Sequence, residues 1–150
     1  MPVDLASPEN EPSVQTSTVK VYVVRPRGIG EGKKRGAVVW AHGGGAILFH
    51  AEMFNHEMCK LACTAQCVVF SVDYRKAPEY KCPVGQLDFA HGVRYVYQNA
   101  DALGIDRTKI CASGTSGGGW ICLGAAYWMM KRSEQYMIKA LFLICPMISD

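Results

Sequence analysis

The stretch ICASGTSGGGWICL, residues 110–123, decides the fold that we expect for this chain. A short apolar run leads into a glycine-rich segment, and an apolar segment with helical spacing follows at once. This pattern predicts a strand, a sharp turn and a helix. The order Gly114-x-Ser116-x-Gly118 in such a setting is typical of a nucleophile elbow, in which a strained backbone holds the serine out towards a substrate. A glycine-rich turn before a helix can also bind a phosphate, or nothing, so this stretch alone leaves both interpretations open.

Two further signatures follow predicted strands nearer the N-terminus. The apolar run 37–41 ends in His42-Gly43-Gly44-Gly45, a pattern that supplies backbone N–H donors to an oxyanion in hydrolases. A second apolar run, residues 67–71, is followed by VDYRKAPE at residues 72–79. Three predicted strands are therefore followed by unusual glycine-rich or charged sequences.

Together and in this order, the three motifs resemble the hormone-sensitive-lipase-like branch of the α/β-hydrolase esterases, which includes arylacetamide-deacetylase-like enzymes. The resemblance covers residues 19–150. It implies an α/β fold, with a mostly parallel sheet and helices on both faces. It also implies a serine carboxylic-ester hydrolase that acts on small-molecule esters and needs neither a cofactor nor a metal.

The resemblance assigns roles to particular residues. Ser116 would be the nucleophile, and the N–H groups of Gly44, Gly45 and Gly117 would form the oxyanion hole, where glycine leaves room for the substrate. The supporting residues would hold the loops: His42 and Gly43 in the glycine-rich loop, Gly114 and Gly118 at the close approach of strand and helix, and Asp73, Arg75 and Glu79 as charged braces. His42 is expected to hold its loop through hydrogen bonds, not to act as the base.

The rest of a catalytic triad is missing from this sequence. In α/β-hydrolases the acid and then the histidine follow the serine along the chain. Here all four histidines precede Ser116, and the acids after it are Glu134 and Asp150. The resembled enzymes are about twice as long, so we expect a fragment or truncated copy that is inactive by itself, with Glu134 on an exposed helix end. His50 or His91 could replace the base only through an unusual geometry.

Two positions depart from the family pattern. Thr115 stands where the family usually has Asp, and Gly117 stands where it often has Ala. We expect Gly117 to keep its amide available while making the start of the helix more mobile.

Composition is compatible with a single globular domain. About half of the 150 residues are apolar and 19% are charged, which suits one domain with a substantial core. The net charge of +3 is mild, and the cluster Lys33-Lys34-Arg35 suits a solvated loop better than a nucleic-acid surface.

Residues 1–17 are expected to be a flexible segment before a hydrolase domain at 18–150. We find neither a signal peptide nor an apolar run long enough to span a bilayer, so a cytoplasmic protein is expected.

Seven scattered cysteines suggest buried free thiols and no disulfide framework. Cys59, Cys63 and Cys67 do not match a zinc pattern, so core packing is expected for them. The glycines of residues 28–33 are too close to their lysine for a P-loop and suit a connection between strands.

Hydrophobic periodicity divides the chain into alternating strands and helices. The predicted strands span residues 18–25, 37–41, 67–72, 109–112 and 140–145, and the predicted helices span 52–65, 87–99 and 117–131.

Three functional classes remain open from sequence. The first is the serine esterase, the second is a non-catalytic protein of the same fold that binds a small apolar ligand, and the third is an anion or nucleotide binder. Residues 140–145, ALFLIC, are expected to form an open edge strand at which two copies can associate.

Overall fold

The computed structural model describes residues 2–4, 18–26 and 34–148, and of residues 2–4 it describes the backbone alone. The strands are β1 (Pro2–Asp4), β2 (Thr18–Val24), β3 (Arg35–Ala41), β4 (Val68–Asp73), β5 (Ile105–Thr115) and β6 (Ala140–Ile144). The α-helices are α1 (Asn55–Ala65), α2 (Val84–Gln98) and α3 (Gly117–Lys131), and short 3-10 helices span Ala51–Phe54 and Gln135–Met137.

The strands form one sheet in the order β1-β2-β4-β3-β5-β6. Strands β4, β3, β5 and β6 run parallel to one another, whereas β2 is antiparallel to both β1 and β4. The carboxyl ends of β3 and β5 therefore meet at one edge of the sheet, which brings their loops together. The predicted α/β class with a mostly parallel sheet is confirmed.

Alternation along β3 and β4 places apolar side chains on both faces of the sheet. On one face, Val39 and Phe70 are buried against α2 and α3 in the larger core. On the other face, Trp40 and Val69 pack with Met58 of α1 in a smaller core. Because both faces of the central strands are covered, these strands are continuous apolar runs in sequence.

The structure extends several predicted elements. The predicted helix 117–131 has the observed bounds of α3. The strand predicted at 109–112 is longer than expected: β5 begins at Ile105, which pairs with Arg35, and regular pairing with β3 resumes at Ile110 after an irregularity over residues 106–109. Pro2–Asp4, within the segment expected to be flexible, forms β1 along β2. The rest of that segment and the connection at 28–33 lie outside the described residues.

The expectation that most cysteines are buried is wrong. Cys67 and Cys122 are buried, and Cys111 is half-buried. The other four thiols are exposed: Cys59, Cys63, Cys82 and Cys145. Cys59 and Cys63 share a face of α1, as predicted, but Met58 and Ala62 form the face that packs on the sheet. Burial raises the pKa of the Cys122 thiol to about 12.

The expectation that Glu134 lies on an exposed helix end is also wrong. Its carboxylate accepts two hydrogen bonds from the Arg94 guanidinium, at 3.0 and 2.6 Å. Arg94 is nearly buried and stacks over Trp128, so this pair connects α2 to the turn that follows α3. Glu134 therefore has a structural role as the ion-pair partner of Arg94.

Among the helices of the described residues, none has the length and apolar character required to cross a membrane.

Candidate active site

The turn between β5 and α3 holds Ser116 in a strained backbone conformation. Its φ is 53° and its ψ is −121°, a region that residues with a side chain rarely occupy. The Ser116 N–H donates to the Ile144 carbonyl at 2.9 Å, which ties the turn to β6. Side chains at Gly114 or Gly118 would overlap backbone atoms, so only glycines allow the strand and helix to approach this closely.

The loop after β3 is a second tight turn built on glycine. Gly44 has φ 113° and Gly45 has φ 63°, both in the left-handed half of conformational space. The Gly44 carbonyl accepts hydrogen bonds from the N–H groups of Ile47 and Leu48 at 3.1 and 2.9 Å. These bonds close the turn while the N–H groups of Gly44 and Gly45 take no part in it.

The two turns lie in direct contact. A Cβ built on Gly117 would stand 2.6 Å from both the N and the Cα of Gly45, and one built on Gly43 would stand 3.6 Å from Ser116 Cβ. The N–H of Gly117 also lacks an intrahelical acceptor because it lies in the first turn of α3. The backbones of the glycine-rich loop and of the Ser116 turn therefore lie side by side.

His42 is completely buried beneath the glycine-rich loop. Its Nδ1 donates to the Gly43 carbonyl at 2.6 Å, and its ring stacks on the rings of Tyr74 and Phe54 with centroids 4.5 and 5.6 Å away. Its Nε2 lies 3.7 Å from Asp73 Oδ1, beyond hydrogen-bond distance. This geometry fits the structural role expected from sequence.

The Asp73 carboxylate lies among hydrogen-bond donors at the end of β4. Oδ1 accepts from the Ala51 N–H at 3.1 Å and from Lys76 Nζ at 3.3 Å. Burial alone would raise the pKa of this carboxyl, but the neighbouring His42 ring, the Ala51 N–H and Lys76 outweigh it and hold the pKa well below its usual range. Asp73 therefore stays ionised.

Arg75 makes the strongest ion pair near the site. Its Nε and one terminal nitrogen donate to the two oxygens of Asp88 at 2.9 and 2.7 Å, and its backbone N–H donates to the same carboxylate at 2.9 Å. Asp88 is fully buried in α2, so the pair fixes this loop to a helix. Glu79, the third predicted brace, is exposed and has no ion-pair partner among the described residues.

The described histidines do not approach the serine hydroxyl. His50 is two-thirds exposed, and its Nδ1 lies 3.5 Å from Asp73 Oδ2. His91 is buried on α2. Ser116 Oγ forms no hydrogen bond with a histidine in the described ranges. The described residues also contain no group of three or more His, Cys, Asp or Glu side chains that could hold a metal ion.

An apolar cavity of about 390 Å³ adjoins both turns. Gly43 and Thr115 line it on the side of the turns, and its walls are aromatic and aliphatic side chains that include Trp40, Phe54 and Phe142. The cavity reaches the two turns only at Gly43 and Thr115, and Ser116 is not among the residues that line it.

Comparison with known families decides what kind of protein carries this geometry. A profile of the family described as the alpha/beta hydrolase fold matches residues 38–150. The chain belongs to the α/β-hydrolase family.

Relatives of this α/β-hydrolase are esterases and deacetylase-like proteins. An arylesterase from Saccharolobus solfataricus is 36% identical over 113 residues, which are 75% of this chain and 36% of the relative. The mouse arylacetamide deacetylase-like 3 is 29% identical over 87% of this chain and 32% of its own length. The Pyrobaculum calidifontis esterase structure matches with a TM-score of 0.80 and 38% identity, covering 86% of this chain and 41% of that one.

These matches confirm the predicted arylacetamide-deacetylase-like, hormone-sensitive-lipase-like branch. The α/β-hydrolase chain spans about a third of the length of these two curated relatives.

Two residues near the site were missed from sequence. Tyr74 donates its hydroxyl hydrogen bond to the His42 carbonyl, and Asp88 pairs with Arg75. The sequence does indicate that Asp88 is unusual, because it is an acidic residue between the apolar Leu87 and Phe89 on a predicted helix. The bond from Tyr74 had no such signal, since it depends on how two loops pack.

Proposed function

We propose that this α/β-hydrolase is a serine carboxylic-ester hydrolase in which Ser116 is the nucleophile. The observation that carries the proposal is the contact between the strained Ser116 turn and the glycine-rich loop at Gly117 and Gly45. A hydroxyl on a strained turn and converging backbone donors are the two parts that acyl transfer requires at one place.

In the proposed reaction, Ser116 Oγ attacks the ester carbonyl carbon and its proton passes to a base. The carbonyl oxygen becomes an oxyanion and accepts hydrogen bonds from the N–H groups of Gly44, Gly45 and Gly117. Loss of one such donor costs roughly 3 to 4 kcal/mol of transition-state stabilisation in hydrolases. The tetrahedral intermediate then expels the alcohol and leaves an acyl-enzyme, which water hydrolyses.

The proposed substrates are small or acyl-chain esters. The observation that supports this class is that relatives are named arylesterase and arylacetamide deacetylase-like. This chain has no histidine after Ser116 to serve as the base in the order usual for the fold. The second candidate is a non-catalytic protein of the same fold that binds a small apolar ligand at the same place.

The test is hydrolysis of p-nitrophenyl acetate by the longest product of the gene that contains residues 1–150. Ser116→Ala should abolish turnover above the buffer rate. Ser133→Ala is the matched control, because Ser133 also has a positive φ, of 59°, but lies at an exposed turn. Equal loss in both variants, or no loss in Ser116→Ala, would refute the assignment.

The 150-residue chain by itself should retain only a small residual rate, because a serine without its base keeps little beyond oxyanion stabilisation and binding. Turnover at ordinary enzyme rates by this chain, lost in Ser116→Ala, would mean that one of the four histidines acts as base. A chain that binds apolar esters without hydrolysing them in any form would support the second candidate.

We further infer that the edge of β6 associates with a second copy of the chain. Its side chains are largely exposed, with Phe142 at 63% exposure, and the strand itself carries no charge.

A further inference from the structure

The glycine-rich loop is tied at three places to the segment that follows β4. The Tyr74 hydroxyl donates to the His42 carbonyl at 2.7 Å, at the start of the loop. The Ala77 N–H donates to the Ala46 carbonyl at 3.0 Å, just after the glycines. Asp73 accepts from the Ala51 N–H at 3.1 Å, at the end of the loop.

The first two of these bonds fix peptide planes on either side of the glycines. Because a peptide group is planar, a bond to the His42 carbonyl also sets the direction of the next N–H, and the same holds at Ala46. Only three peptide groups lie between the two fixed planes, and they carry the N–H groups of Gly44, Gly45 and Ala46. Two of these are the proposed oxyanion donors.

Tyr74 is well placed for this task. Its side chain is fully buried, its ring stacks on the His42 ring at 4.5 Å, and its hydroxyl bond points at the carbonyl of the same residue. That carbonyl also faces α3, since a side chain on Gly118 would overlap it. Movement of the His42 carbonyl would therefore disturb the loop and the first turn of α3 together.

Asp73 fixes the other end of the loop through charge. Lys76 Nζ at 3.3 Å keeps the carboxylate paired, while the His42 Nε2 and His50 Nδ1 atoms lie 3.7 and 3.5 Å from its two oxygens. The loop is thus held at its beginning and at its end by adjacent residues of one segment.

We propose that Tyr74 and Asp73 are positioning residues that set the direction of the Gly44 and Gly45 N–H groups. Neither residue touches the reacting atoms; they act through the His42 carbonyl and the Ala51 N–H. The role of Gly44 and Gly45 as oxyanion donors rests on the function proposed above. The restraint on their loop can be measured without any catalytic activity.

The test is hydrogen exchange by mass spectrometry on the 150-residue chain and its Tyr74→Phe variant. The Ile47 and Leu48 amides, which are bonded to the Gly44 carbonyl, report the closure of the turn. Loss of one buried hydrogen bond should speed their exchange about tenfold, while peptides from β3, β5 and α2 stay within twofold. Tyr127→Phe is the control, since Tyr127 is 58% exposed on α3.

Unchanged exchange of the loop in Tyr74→Phe would overturn the proposal. Equal acceleration across all peptides would overturn it as well, because Tyr74 would then act on global stability alone. If Tyr74→Phe does not fold, Asp73→Ala, which removes the acceptor of the Ala51 N–H, gives the same comparison through the Ala51 amide.

Kinetics separate this proposal from the proposed function. In an active form of the protein, Tyr74→Phe should lower kcat about tenfold or more and leave KM within twofold, whereas unchanged kcat would overturn the positioning role. Retained activity in Ser116→Ala would instead refute the proposed function and leave the exchange result standing.

Discussion

At the scale of single residues, the site depends on groups held in unusual states. Ser116 occupies a strained conformation that its neighbours impose, and Asp73 stays ionised in a largely buried position because the Ala51 N–H and Lys76 Nζ donate to it. Such strain and charge persist only where the surrounding structure over-determines them. The pH dependence of the free energy of unfolding should therefore show the contribution of the ionised Asp73 carboxylate.

Asp73→Asn should flatten the acid side of the stability profile. The folded state keeps Asp73 ionised below its ordinary pKa of 3.8, whereas the unfolded chain binds the proton near that value. The unfolded state therefore binds more protons as the pH falls, so the stability contributed by Asp73 is present above about pH 4 and is lost on acidification. Urea unfolding at several pH values between 3 and 7 measures it. Parallel acid limbs in the two proteins would contradict this account.

At the scale of elements, glycine and apolar runs made much of the fold predictable. The bounds of α3 follow from the glycines at its start, and β3 and β4 follow from apolar runs that are buried on both faces. The first half of β5 was missed because its side chains after Ile105 are polar and mostly exposed, and because an irregularity separates the Arg35–Ile105 pair from the regular pairing that begins at Ile110. Local sequence records side-chain burial, not backbone pairing.

The candidate site was predictable to a similar extent. The glycines and Ser116 stand out in sequence because each imposes a backbone constraint. The bond from Tyr74 to the His42 carbonyl and the buried pair of Arg75 with Asp88 join distant segments, and only tertiary packing brings them together.

Gly117 also shows the effect of tertiary packing on the choice of residue, because the family often has alanine at this position. Its Cβ position lies 2.6 Å from backbone atoms of Gly45, so closeness of the two turns, not helix propensity, explains the glycine.

Gly117→Ala should therefore destabilise the protein by about 1 to 3 kcal/mol, although alanine favours helix. Gly124→Ala in the same helix is the control, since its Cβ would meet side-chain atoms of Gln86 and no backbone of another loop, and should cost less. Thermal and urea unfolding of both variants measure the difference. Stabilisation by Gly117→Ala would show that the turns separate easily and would weaken the account of the site.

At the scale of the whole molecule, β6 forms one edge of the sheet and has no second partner strand among the described residues. Nine large apolar side chains between residues 123 and 148 are exposed around α3 and β6, namely Leu123, Tyr127, Met130, Tyr136, Leu141, Phe142, Ile144, Met147 and Ile148. The bond from the Ser116 N–H to the Ile144 carbonyl shows which main-chain groups of β6 face β5. By alternation, those of Leu141 and Leu143 face outward and are open to pairing.

An antiparallel pair of β6 strands centred on Phe142 satisfies these groups, because Leu141 of one copy then faces Leu143 of the other. Lys139 faces Cys145 in this register, so like charges do not meet. Light scattering at micromolar concentration should find particles of at least twice 16.5 kDa. Phe142→Lys should shift them towards the monomer, and Met53→Lys, at a 64% exposed site on another surface, should not. A stable 16.5 kDa monomer would contradict the strand-pairing account.

The central claim is that Ser116 is the nucleophile, and a fluorophosphonate probe tests it most directly. Attack by Ser116 Oγ on phosphorus displaces fluoride and leaves a covalent adduct whose position peptide mass spectrometry can read. We predict that prolonged incubation of the longest gene product places a single adduct on the peptide that contains Ser116, and that Ser116→Ala removes it. An adduct on another residue, an adduct that persists in Ser116→Ala, or an unlabelled Ser116 would contradict the account.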